Sequence, residues 1–86
     1  MKVLKFSAIW CPSCLIMNNV INKIKEEYKL EIINYDYDMD EEEVKKYDIG
    51  NVLPVLIFVD EKDQEIKRVI GEKSKKELEK IIEDLM

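Results

Sequence analysis

The chain has no histidine, and its 86 residues include only two cysteines, two glycines, two prolines and one tryptophan. Two cysteines are too few for a disulfide scaffold. A closed zinc site takes about four Cys or His ligands, so zinc within one copy would have to recruit carboxylates. No apolar run approaches the roughly 20 residues of a membrane span. The opening Met1-Lys2-Val3-Leu4-Lys5-Phe6 lacks the apolar stretch and small-residue cleavage site of a signal peptide, which points to a cytoplasmic protein. Positive charge is also short. The net charge of −5 argues against nucleic acid, whose phosphates call for clustered Lys and Arg. The scarcity of Gly and Pro, with heavy use of Lys, Glu, Ile, Asn and Tyr, reads as genome bias and carries no functional information. What remains is 47% hydrophobic and 38% charged. That composition belongs to a soluble globular chain, here one domain spanning residues 1–86.

Against this background the two cysteines are conspicuous, because both fall in one short string, Trp10-Cys11-Pro12-Ser13-Cys14. It lies where an extended apolar stretch gives way to a helical one. Val3 to Ile9 is short and apolar apart from Lys5 and Ser7, and is expected to be a buried strand. From Cys11 the period changes. Leu15, Ile16, Val20, Ile21, Ile24 and Tyr28 recur at three- and four-residue spacing and predict an amphipathic helix of about four turns. Pro12 suits its first turn, where a missing N–H costs nothing.

Leu30 to Tyr37 reads as a second strand. Asp40 to Tyr47 reads as a short helix, capped by Asp40, with Val44 and Tyr47 turned inward. Val52 to Val59 is an apolar run interrupted by Pro54. Asp60-Glu61-Lys62-Asp63 has hairpin-turn composition, and Glu65 to Ile70 is the returning strand. Gly71 ends it. Ser74-Lys75-Lys76-Glu77 is a capping-box sequence opening a last helix with Leu78, Ile81, Ile82 and Leu85 as its apolar stripe. The order is β-α-β-α-β-β-α, an α/β arrangement. A βαβ unit implies parallel strands and a tight turn implies an antiparallel pair, so the sheet is mixed, four-stranded and covered by helices on both faces.

The thiolate is the form that attacks a disulfide. A helix N-terminus favours it through unpaired N–H groups and partial positive charge. Cys11 falls at or just before the first turn, where that effect and solvent access are expected to be greatest. Cys14 lies one turn on, facing the packed side. The geometry therefore divides the work. Cys11 attacks, a mixed disulfide forms, and Cys14 resolves it, with Ser13 and backbone amides helping to hold the Cys11 thiolate. Two other uses of the pair stay open. Two copies could join their motifs around zinc or an iron–sulfur cluster, and the couple could carry electrons to one dedicated partner.

The string Ser7-Ala8-Ile9-Trp10-Cys11-Pro12-Ser13-Cys14 resembles the active site of the thioredoxin family, and the element order resembles a minimal thioredoxin fold in the glutaredoxin size class. Asp38, Pro54 and Gly71 also match in order. The resemblance implies a thiol–disulfide oxidoreductase that reduces protein disulfides, works as a monomer and needs no cofactor and no metal. It implies that Pro54 is cis beside the Cys pair, although an X-Pro at the start of an edge strand is ordinarily trans. Leu53 would offer its backbone to the substrate, and Trp10, Pro12, Ser13 and Gly71 would complete the docking rim.

Two departures from the family bear on function. The buried acid expected on the first strand is Lys5 here, and its usual lysine companion aligns with Asn34. Either Lys5 lies beneath the site and favours the Cys14 thiolate by charge, or its stem carries the ammonium out to solvent. The residues that hold glutathione in glutaredoxins have become Gly71-Glu72-Lys73, and Glu72 would repel a glutathione carboxylate. A flavoprotein of the thioredoxin-reductase type is thus the expected electron donor. The acidic run Asp36 to Glu43 reads as a solvated face that a basic partner could use.

Overall fold

The first strand sets the frame, because its side chains alternate between two apolar layers. The computed structural model describes residues Met1 to Met86, with β1 at Lys2–Ser7, α1 at Pro12–Tyr28, β2 at Glu31–Asp36, α2 at Glu41–Lys46, β3 at Val55–Val59, β4 at Glu65–Ile70 and α3 at Lys75–Leu85. The sheet order is β2-β1-β3-β4. β1 runs parallel to β2 and antiparallel to β3, and β3 runs antiparallel to β4. This is the mixed four-stranded sheet read from the sequence, with three helices in the predicted order.

Val3, Leu56 and Phe58 point to one face of the sheet, where Met17, Ile21 and Ile24 of α1 meet Leu78 and Ile82 of α3. Leu4, Phe6, Val55, Ile57 and Val59 point to the other, against Val44 of α2 and the adjoining Tyr47. All five residues of β3 are buried, as a central strand covered on both sides must be. Phe6 is fully enclosed and stacks on Tyr35 with ring centroids 5.1 Å apart.

Local signals explain most boundaries. Ser74 and Glu77 form both halves of a capping box, satisfying two otherwise unpaired N–H groups at the start of α3. In the β3–β4 turn, Asp60 Oδ1 accepts from the N–H groups of Lys62 and Gln64. Gly71 has φ +86, a conformation that glycine adopts without the steric cost a Cβ brings.

The elements differ from the sequence reading in four places. β1 stops at Ser7 rather than Ile9, because residues 8–10 turn toward the helix and Cys11 N–H bonds back to Ala8 C=O at 3.2 Å. β3 begins at Val55 rather than Val52, since Pro54 has no N–H to give to a ladder. Asp40 does not cap α2. Its carboxylate instead accepts the Asp36 N–H at 2.7 Å, closing the loop that enters the helix. On α1, Leu15 and Ile16 are exposed, and Cys14, Met17, Ile21 and Ile24 are the buried stripe. The rest of the predicted stripe holds, with Val20 and Tyr28 packed against the core that contains Ile21 and Ile24.

Candidate functional site

The site lies where β1 ends and α1 begins. Cys11 is the N-cap of α1, with φ −95 and ψ 109, and Pro12 opens the helix. Its Sγ accepts a hydrogen bond from the Cys14 N–H at 3.2 Å, so the sulfur stands in for the side-chain oxygen that usually caps a helix. No acidic side chain lies in the first turn of α1, leaving its partial positive charge unopposed. Both thiols are free. Cys11 is only 5% exposed, against the open position expected from the sequence, because its sulfur folds back over the first turn instead of projecting outward. The hydrogen bond at Cys11 Sγ comes from this backbone N–H rather than from Ser13, which is partly buried beside exposed Pro12.

Cys14 is 2% exposed. Burial pushes its thiol up to about 11, and neighbouring Cys11 adds to the rise. A main-chain hydrogen bond with Ala8 and the charge of Lys5 act in the opposite direction. Lys5 is partly buried on β1, paired with Asn34 and Leu56 across the sheet. Its Nζ donates to Asn18 Oδ1 of α1 at 2.8 Å. Burial lowers its pKa, and Cys14 partly offsets that.

Around the pair lies an apolar rim. Trp10 is 57% exposed, and its indole Nε1–H donates to Asp38 Oδ2 at 2.7 Å. It meets the edge of Tyr37 at 6.2 Å. The ring is therefore held at a fixed angle while much of it faces solvent. Ile9, Leu15 and Ile16, its neighbours along the chain, are exposed as well.

The other rim segment is Val52 to Pro54. The Leu53–Pro54 bond is cis. The Leu53 side chain is buried in the same cluster as Cys11 and Cys14, and no main-chain hydrogen bond within the chain engages Leu53. The Gly71 N–H donates to Pro54 C=O at 2.9 Å, which brings Gly71 to this rim. Exposed Val52 lies within van der Waals reach of where a Gly71 Cβ would stand.

One member of the arrangement, Asn18, was not visible from sequence, and a second, Asp38, was marked by the resemblance but not its contact with Trp10. Asn18 anchors Lys5, and its signal was its position one turn beyond Cys14. Asp38 anchors Trp10 across the β2–α2 loop, a contact over 28 positions that local spacing cannot supply.

The family model described as Thioredoxin matches residues 1–84. A thioredoxin of Staphylococcus epidermidis is 24% identical over 84 residues, covering 95% of this chain and 79% of that protein. Among solved structures, a thioredoxin of Nicotiana alata superposes with a TM-score of 0.87 at 30% identity, over 96% of this chain and 70% of its own. Thioredoxin 1 of Thermosipho africanus gives 0.87 at 25% identity, over 99% of this chain and 93% of its own.

Proposed function

We propose, from the premise that this chain belongs to the thioredoxin family, that it reduces protein disulfides through a reversible Cys11–Cys14 couple. Family membership makes it a thiol–disulfide oxidoreductase; the direction and the residue roles are proposed from the site. The observation that carries them is the Cys14 N–H on Cys11 Sγ at the start of α1, where no acidic side chain lies in the first turn. A sulfur so placed has a donor ready for negative charge.

In this reading the Cys11 thiolate attacks one sulfur of a client disulfide. The client S–S bond breaks, its electron pair leaves on the second client sulfur, and a mixed disulfide forms. The Cys14 thiolate then attacks Cys11 Sγ, the Cys11–Cys14 bond closes, and the remaining client sulfur leaves as thiolate. Two electrons have passed to the client, and its two sulfurs take up protons. The unpaired main chain of Leu53 supports docking of an extended client segment as an added strand. Trp10, Pro12, Ser13, Pro54 and Gly71 complete the rim. Residues 1–86 act as one domain, and the oxidised pair is re-reduced by a flavoprotein of the thioredoxin-reductase type. Cytoplasmic poise, which holds such pairs as dithiols, fits the reductive direction.

Insulin reduction in the presence of dithiothreitol tests this. The protein is expected to accelerate precipitation of the freed insulin B chain well above the dithiothreitol background, and Cys11→Ser to return the rate to that background. Equal rates with and without the protein would contradict the reading.

A further inference from the structure

Lys5 is the one partly buried cation beside the thiols, and no carboxylate forms an ion pair with it. Its neighbours across the sheet, Asn34 and Leu56, carry no charge. From α1 it faces Asn18, one turn beyond Cys14, and the ionisable group acting on it there is Cys14 itself. The part-buried hydrogen bond from Nζ to Asn18 Oδ1 ties the ammonium to α1. A lysine serving only to cover the sheet would gain more from hydrating its head group.

We propose that Lys5, held in place by Asn18, is a positioning residue that supplies the counter-charge for the Cys14 thiolate in the resolving step. The inference rests on the redox reading above. In the mixed disulfide Cys11 Sγ is bonded to the client, so it carries neither a proton nor a negative charge. Of the influences acting on Cys14, burial then opposes the thiolate, while the Ala8 main chain and Lys5 favour it. The Cys14 proton leaves to solvent, the thiolate forms against the ammonium, and its electron pair makes the new bond to Cys11 Sγ as the Cys11–client bond breaks. Lys5 ends the step as it began, protonated. Where Cys14 is ionised the same charge favours the reduced pair, because the disulfide contains no thiolate to attract.

The test follows the two halves of the reaction with 5,5′-dithiobis(2-nitrobenzoate) by stopped flow. One thionitrobenzoate is released when Cys11 attacks and a second when Cys14 closes the disulfide. In Lys5→Met the second phase is expected to slow severalfold relative to the first at neutral pH, because Lys5 is one of the two influences that favour the Cys14 thiolate. Its pH profile should move upward. Lys5→Gln, which keeps a polar head without charge, should behave alike and guards against a folding defect in the methionine variant. Lys5→Arg should restore the parent profile, and Asn18→Ala should shift it partway. A second phase with the same pH profile in both uncharged variants as in the parent would overturn the role of Lys5. Absence of a second phase in the parent would instead overturn the redox reading, and this inference with it.

Discussion

Replacing Cys14 with serine should stop the reaction halfway, leaving the protein covalently joined to its client through Cys11. The serine hydroxyl cannot displace a thiolate from Cys11 Sγ at neutral pH, so the mixed disulfide outlives its normal turnover. Non-reducing electrophoresis after mixing with a disulfide-containing protein should show a stable adduct that a small dithiol releases. Cys11→Ser should give none, because the Cys14 thiol is pushed up to about 11, leaving little thiolate at neutral pH. The asymmetry matters more than either loss alone. If Cys14 were the attacking thiol, the two variants would exchange behaviour. Catalytic turnover should be lost in both, the largest functional effect of any single substitution in the chain.

The largest effect on stability should come from Phe6→Ala. Phe6 is fully enclosed between β1 and the α2 side of the sheet, with Tyr35 stacked at 5.1 Å and Tyr47 tilted at 5.8 Å. Removing the ring forfeits its transfer free energy and leaves a cavity that two aromatic neighbours cannot fill by small shifts. Substitutions of this kind cost about 3–5 kcal/mol, against a total stability of about 5–15 kcal/mol for a small domain. Urea titration should show the midpoint lowered by that loss divided by the slope, with little change in the slope itself. The exposed Leu15 is the control. Leu15→Ala should stay within about 0.5 kcal/mol, although sequence spacing marks it as a core residue. A comparable loss at Leu15 would mean that the exposed stripe of α1 is packed after all.

That contrast shows what the sequence could and could not reveal. Strong local chemistry was legible, as in the Ser74–Glu77 capping box and the Asp60 turn, since their partners lie within a few residues. The order of elements followed because the period changes clearly at Cys11 and again after Ser74. The buried stripe of α1 was legible from Val20 onward, where Ile21 and Ile24 are buried and Val20 and Tyr28 pack against the core, but not in its first turn. Leu15 and Ile16 are as apolar as Ile21 and Ile24, yet they are exposed while Cys14 and Met17 are buried in their place. Asp40 has the composition of a cap but serves the Asp36 N–H, one of several local partners open to a short acidic side chain. The rim depends on long-range contacts, Trp10 to Asp38 and Gly71 to Pro54, that no local pattern encodes. The burial of Cys11 likewise depends on where its sulfur turns once the helix is capped.

All of these features converge on a thiol pair that opens and closes, and equilibration of the protein in graded dithiol–disulfide buffers, read by alkylation and mass spectrometry, measures that directly. The expected result is a single intramolecular Cys11–Cys14 disulfide, lighter by two hydrogens, forming with a midpoint near about −270 mV, the potential typical of thioredoxin. A midpoint above about −180 mV, the value for protein disulfide isomerase, would contradict the reductive direction. Failure of the disulfide to form at any poise would contradict the couple itself.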